Sequence, residues 1–483
     1  MSAPTPAPAS WSPLARFAFR FFLIYWLLYS LPFPLNQIPD KGNLETLKKH
    51  VPWTGSVVDA LLVVVEPTAK TVDDYVLTPY REGEHFLVPW VGKNVLKLDN
   101  DITYFMSGSG DKTSDYVRNF VVLATAMVGA CVWTILGWIL FRPSVFSAIE
   151  ALIFDFLRIY VRFVLGATML SYGSFKIVPL QMPTPGLDRL MEPVGEMSPM
   201  GLCWTFIGAS AAYSAFAGVS EALSGVLLLF RRTTTLGALL TIAVMGNVVA
   251  MNFCYDVPVK LYSTNLLLMA VFLLAPDLGR LTNVLILNRS APERDLGPPW
   301  KTIRWLYWPL LVLKLLFVGW LLYVTVIVAI WVYQDRDERP RAEIVGIFDV
   351  VEFKRNGSIQ QPLLTDAKQW RRVIFNELAF RSMGFCSVRQ MDDRLIRCTV
   401  TYDAKKQLVT LAPRDLNTKD PFSTGSAKVA WTFKVERPDD NTMTLEGEVD
   451  GEKLFVKLHL TEAPKFQLLT RPFNWVQEFP YNR

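Results

Sequence analysis

The chain has 483 residues, 51% hydrophobic and 13% aromatic but only 19% charged, and its mean hydropathy is positive. Average soluble domains carry about 25% charge, so the composition excludes an ordinary soluble globule and points to a polytopic membrane protein. The net charge of +5 is too small and too dispersed to suggest nucleic acid, and the five cysteines and three histidines lack the ligand spacing of a zinc, haem or iron–sulfur centre.

In chain order, residues 1–13 are rich in Pro, Ala and Ser and read as a disordered cytoplasmic tail. A crossing needs about 20 apolar residues. Seven stretches meet that need: 14–34, 118–141, 151–178, 201–230, 233–253, 260–282 and 303–333. Arg16 and Arg20 flank the start of the first, and Pro32 and Pro34 follow it without a small-residue cleavage site, the pattern of an uncleaved signal anchor. Residues 35–117 form a long outer loop region. Within it Val57 to Val65 is apolar but too short to cross, and is expected as an amphipathic helix on the outer surface. The run Ser107-Gly108-Ser109-Gly110-Asp111-Lys112-Thr113 lacks the GxxxxGK[ST] spacing of a phosphate loop, so a tight turn entering the second span is expected.

Short-loop charge sets the orientation. Arg16 and Arg20, then Arg142, then Arg231 and Arg232, then Arg280, Arg289, Arg294, Lys301 and Arg304 all fall on one side if the N-terminus is cytoplasmic. The chain then divides into the second span with an inner loop (118–150), a four-helix core (151–288), an inner loop with the last span (289–335) and an outer, periplasmic domain (336–483).

That last domain has a soluble pattern. Turn signals at Asn356-Gly357, Asp403-Ala404-Lys405 and Asp450-Gly451 separate alternating segments such as 428–435, 443–449 and 454–460, which read as antiparallel strands. A small barrel or sandwich is expected, with its first strand opening at Gly346 and one helix near 365–378. The lipocalin Trp after that Gly is absent. Cys386 and Cys398 lie a hairpin's width apart, and a disulfide between them is expected if that side is oxidising.

The third span carries Asp155, Arg158, Arg162 and Lys176. At about 100° per residue all four fall within an arc of about 60°, with Gly166 and Gly173 at its edge. Each charge at mid-bilayer costs about 2.5–3.5 kcal/mol, so the stripe must face other helices or a hydrated cavity. Depth arithmetic at 1.5 Å per residue sets Glu221 of the fourth span level with Arg158 and Arg162. A Glu221–Arg162 pair is therefore expected, with Lys314 of the last span nearby. The competing arrangement is a structural network that fixes helix register and binds nothing.

A second group sits near the outer face: Lys176, Cys203, Cys254, Tyr255, Asp256 and Lys260, with Asn247 and Asn252 on the fifth span. Cys203 and Cys254 share a level on different helices, which admits a redox pair, although cysteines at helix ends are commonly small packing residues. His50, His85 and His459 have no triad partners and read as surface or barrel residues.

Spans three to six resemble the DoxX-like membrane family. The matching residues are Arg162-x3-Gly166 and Gly173-x2-Lys176, then Glu221-x3-Gly225 running into Leu227-Leu228-Leu229 and Arg231-Arg232. Tyr255-Asp256-Val257-Pro258-Val259-Lys260 and Pro276-Asp277-x2-Arg280 complete the set. The large outer loop, the extra spans and the β-domain depart from a minimal member. The resemblance implies membrane redox chemistry and a quinone-type ligand among the helices, with Arg162, Lys176 and Glu221 at family positions.

The expectation is thus an inner-membrane protein whose polar site (Arg158, Arg162, Lys176, Glu221, Asn247 and Lys260) binds a quinone- or lipid-type ligand. It would serve an oxidoreductase system with a protein partner. The alternative is a non-catalytic scaffold whose outer loop and β-domain dock that partner. A transporter lacks the support of an inverted repeat.

Overall fold

The computed structural model describes residues 11–38, 41–50, 54–104, 108–140, 143–291, 304–337, 342–376, 383–414, 430–461 and 466–480. The N-terminal tail up to residue 10, Arg142 and the basic connection 292–303 lie outside these. Two compact units divide the chain: 1–104, 108–177 and 216–329 form one; 105–107, 178–215 and 330–483 form the other.

The helices in chain order are α1 (Pro13–Ser30), α2 (Lys41–His50), α3 (Gly55–Val72), α4 (Thr78–Asn94), α5 (Thr113–Leu140), α6 (Pro143–Ile177), α7 (Leu187–Leu190) and α8 (Pro199–Gly208). There follow α9 (Ala211–Leu229), α10 (Thr234–Cys254), α11 (Lys260–Leu274), α12 (Leu278–Leu285), α13 (Arg304–Leu322), α14 (Val328–Asp337) and a C-terminal turn, α15 (Gln467–Thr470). Among the described residues six helical segments are long and apolar enough to cross a membrane: Pro13–Gln37, Thr113–Ile139, Ala211–Leu229, Arg231–Cys254, Lys260–Leu285 and Tyr307–Gln334. The seventh expected span, α6, is a 35-residue helix of about 52 Å. Its charges keep it out of the apolar set. Val57–Val65 lies in α3, which is also outside that set, and a π-helical turn at Asp73–Leu77 joins α3 to α4.

Local chemistry explains the boundaries. Ser12 caps α1 by accepting from the Ala15 amide at 3.2 Å, with Pro13 in the first turn. The stretch expected as one span over 201–230 is two helices, α8 and α9. The Ser210 hydroxyl accepts from the Tyr213 amide at 3.3 Å and starts a new helix. A Cβ at Gly208 would stand 2.3 Å from the Pro183 carbonyl oxygen, so the chain turns there where only glycine fits. Within the first unit Phe19, Leu23, Trp26, Leu157, Val161, Leu165, Met169 and Leu273 form the buried core. Because lipid is as apolar as these side chains, close packing and polar contacts must hold the helices together.

In the second unit an antiparallel sheet closes on itself. Its strands are β1 (Gly346–Arg355), β2 (Ser358–Ile359), β3 (Trp370–Phe375), β4 (Met383–Gln390), β5 (Leu395–Asp403), β6 (Leu408–Pro413), β7 (Trp431–Asp439), β8 (Thr442–Val449) and β9 (Glu452–Leu460). They pair in the order β2-β1-β3-β4-β5-β6-β7-β8-β9, and β1 also pairs with β9, making an eight-stranded barrel with β2 as a short flap. Asn356-Gly357 and Asp450-Gly451 take positive φ at both positions, as two-residue hairpins require. The helix expected near 365–378 is instead β3, since Trp-Arg-Arg-Val-Ile-Phe is a β-branched and aromatic run that fits between β1 and β4; residues 377–382 lie outside the described set.

Period-two burial on β7 sends Trp431, Phe433 and Val435 inward. With Phe348, Phe353, Trp370 and Phe375 they fill the barrel interior. Segment 178–215 belongs to this unit and braces it: Glu192 pairs with both Arg189 and Arg397 at 2.5 Å, and Glu196 with Arg389 at 3.2 Å.

Candidate functional site

The striped helix α6 meets α9 backbone to backbone. A Cβ on Gly173 would lie 2.6 Å from the Gly218 carbonyl oxygen, and one on Gly218 the same distance from that of Gly173. Two turns away, a Cβ on Gly225 would lie 2.7 Å from the Gly166 oxygen. The helices are antiparallel, so this register sets Arg162 level with Leu229 and Glu221 level with Leu170. Side chains lean toward the N-terminus of their own helix. Glu221 therefore leans toward Lys176, and Lys176 toward Glu221, whereas Arg162 leans away.

The structure accordingly pairs Lys176 with Glu221, both side chains buried. The expected Glu221–Arg162 pair is not formed. Depth counted from the helix ends missed it by about 12 Å, eight residues of rise, and took no account of side-chain direction. Arg162 instead donates from Nε to the Leu228 carbonyl at 3.0 Å and from Nη2 to Leu229 at 3.3 Å, closing the C-terminus of α9. Among the described residues Glu221 Oε2 has no hydrogen-bond partner.

On the opposite face of α6, Val164, Ala167, Thr168, Ser171 and Tyr172 line a cavity of about 710 Å³ in the helical unit. Drug-sized ligand pockets span about 300–1,000 Å³. The other walls come from the end of α1 (Tyr29), from Leu77 to Glu84, from α5, α11 and the helix around Leu321–Thr325. Arg118 is the hub of its charged wall. It bonds Glu84 at 3.2 Å, the Tyr80 hydroxyl at 3.0 Å and the Tyr29 carbonyl at 3.4 Å. Arg81 and Asp115 also line the cavity.

Hydroxyls form a second wall: Tyr29, Tyr172, Tyr262, Thr168 and Ser171, with Tyr262 3.5 Å from Thr168. Leu266, Met269, Leu321 and Val164 are apolar, and Met269 sits nine residues into α11, about 13 Å from its start. Such a cavity suits a molecule with a polar, hydrogen-bonding head and an apolar body.

None of the six residues anticipated as a ligand site lines this cavity. Arg158 is half-buried, 6.0 Å from the Phe154 ring; Asn247 is exposed. Lys260 is held by Asp256 at 2.8 Å and Asp111 at 3.9 Å. Asp111, within the phosphate-loop-like run, accepts from the amides of Lys260 (2.8 Å) and Leu261 (3.0 Å) and so caps α11. Asn252 donates to Ser263 at 3.0 Å.

Cys203 is buried in the second unit, and Cys254 is exposed in the first. Cys386 and Cys398 are direct cross-strand neighbours on β4 and β5, but they are thiols; the expected disulfide is not present. Both are buried inside the barrel, and burial pushes the Cys386 thiol well up and that of Cys398 up to about 12.

Two polar groups escaped sequence reasoning. Arg20 was counted as a loop charge. It is buried within α1, bonding Glu150 at 2.7 Å and Thr134 at 2.6 Å. Arg118 sits five residues into α5 and was not singled out. Both form contacts more than 85 residues away in sequence, which periodicity does not reveal.

No family model matches the chain. No solved structure matches it either. A stretch of 76 residues is 42% identical to the uncharacterized protein YwoB of Bacillus subtilis (strain 168), covering 16% of this chain and 49% of that protein. The chain thus spans about half the length of this curated relative.

Proposed function

We propose that this protein is a DoxX-like component of a bacterial inner membrane that binds a quinone- or lipid-type ligand and serves a membrane oxidoreductase system. In this reading the N-terminus is cytoplasmic and the barrel is periplasmic, as the clustered short-loop arginines favour. The observation that carries the proposal is the cavity between α1, α5, α6 and α11. Its charged wall balances, two arginines (Arg81, Arg118) against two carboxylates (Glu84, Asp115), which suits an uncharged head. Tyrosine and threonine hydroxyls can donate to a carbonyl oxygen or accept from a hydroxyl, while Leu266, Met269 and Leu321 suit an isoprenoid or acyl body.

Native mass spectrometry of the full chain, extracted gently from its own membrane, tests this directly. A stoichiometric quinone- or lipid-sized adduct is expected. Ser171→Phe, which puts a bulky ring into the cavity without breaking an ion pair, should remove it while leaving the thermal midpoint of unfolding in place.

A second reading, a scaffold that docks a partner through its outer loop and barrel, is favoured by one observation. The stripe charges Arg162 and Lys176 are spent on α9, the first on its carbonyls and the second on Glu221. A stable protein partner without any small adduct would favour it.

A further inference from the structure

Among the described residues, a cation at the other end of the α6–α9 contact lacks an anion. Lys314 of α13 is half-buried in the helical unit, with Nζ 5.1 Å from the centre of the Phe230 ring. Phe230 is the residue at which α9 ends. The carbonyls of that helix end would be the natural counter-charge for the ammonium, but they are already held. Thr233 takes Leu227, Arg162 takes Leu228 and Leu229, and Thr234 takes Phe230.

Arg162 is an electrostatic neighbour of Lys314, so the two cations converge on residues 228–230. Arg231 and Arg232 follow immediately in the chain. Among the described residues Lys314 forms no ion pair. On α6, Asp155 lies seven residues, two turns, from Arg162.

Cations gathered at the end of a spanning helix attract a phosphate anion, because basic pockets between helices near a membrane face bind phospholipid head groups and the lysine stem can run along apolar surface to deliver its charge there. We propose that Lys314, with Arg162 and the Arg231-Arg232 pair, forms a phosphate-binding site at the end of α9. The ligand is the phosphate of an anionic phospholipid, or free phosphate, whose chemistry is the same. The site shares no lining residue with the cavity, so it stands independently of the quinone reading.

The test uses the full chain reconstituted in vesicles of equal parts phosphatidylethanolamine and phosphatidylglycerol, then released for native mass spectrometry. Wild type and Lys314→Arg should retain phosphatidylglycerol in preference to phosphatidylethanolamine. Lys314→Gln should lower that retention about fivefold, the factor that corresponds to about 1 kcal/mol per lysine at an anionic surface. Inorganic phosphate added before release separates the sources: displacement of the lipid assigns the site to free phosphate, and persistence assigns it to a head group. Equal retention of the two lipids by wild type, or equal phosphatidylglycerol retention by wild type and Lys314→Gln, would overturn the proposal.

Discussion

Gly218→Ala should loosen the α6–α9 contact. The new Cβ would stand 2.6 Å from both the Gly173 carbonyl oxygen and the Ile177 amide nitrogen. Both are backbone atoms, which no rotamer change can move aside. Reaching ordinary contact requires the helices to separate by about 0.8 Å, and overpacking of this kind costs about 1–3 kcal/mol. Against that, replacing helical glycine by alanine gains about 0.8–1.0 kcal/mol of propensity.

Gly246→Ala in α10 isolates the second term, since a Cβ there meets nothing within 4 Å. Unfolding of the purified protein in mild detergent by SDS titration, followed by tryptophan fluorescence, should therefore rank Gly246→Ala at or above wild type and Gly218→Ala below it. The gap between the two variants should be about 1–3 kcal/mol. If the two variants unfold together, the backbone contact, and with it the register that explains the Lys176–Glu221 pair, is wrong.

Asp349 of β1 accepts from Arg372 of β3 at 2.6 Å and from Thr461, just past β9, at 2.8 Å, pinning the seam where the barrel closes. Burial pushes its carboxyl up, but these hydrogen bonds outweigh burial and hold it below the usual carboxylate range. A depressed folded-state value means that the stabilisation is present above the unfolded value of about 3.9 and lost as pH falls through the folded one. Acid unfolding of the barrel, read by far-ultraviolet circular dichroism, should thus be shallower below pH about 4 in Asp349→Asn than in wild type; parallel curves would refute the seam's role. For the cysteines, burial keeps both barrel thiols protonated, so maleimide should leave Cys386 and Cys398 unlabelled in the folded protein and modify them after denaturation. Labelling without denaturant would show that the barrel interior opens.

What the sequence made legible follows from how local each signal is. The helical spans and the barrel's hairpins rest on apolar length, alternation and turn pairs such as Asn356-Gly357, all contained in a few residues. The break at Gly208–Ser210 was missed because it interrupts an apolar run without changing its composition. The stripe on α6 was legible as a stripe, but its partners were not. Which carboxylate meets Lys176 depends on how deeply two glycine-lined helices slide past each other, and the choice of Lys176 over Arg162 turns on the N-terminal lean of the side chains. Arg118 and Arg20 were hidden for a related reason: each is satisfied by groups from other helices, and nothing near them in sequence announces a partner.

The two faces of α6 separate its contact with α9 from the cavity. Arg162, Gly166, Gly173 and Lys176 lie on one side, against the end carbonyls, glycines and Glu221 of α9. Val164, Thr168 and Ser171 lie about 180° away, on the cavity. An α-helix carries force along its length but keeps its faces apart, so a change on one side reaches the other only by shifting the whole helix. Gly218→Ala presses on the first face and Ser171→Phe on the second. If the cavity holds a ligand, the first should lower stability with the adduct retained, and the second should remove the adduct with stability unchanged. A scaffold would make both variants matter only through stability. Two of the four charges that first marked this helix, Arg162 and Lys176, are then what fastens it to α9, and the surface that the ligand reading assigns to binding is the uncharged side, where hydroxyls replace charge.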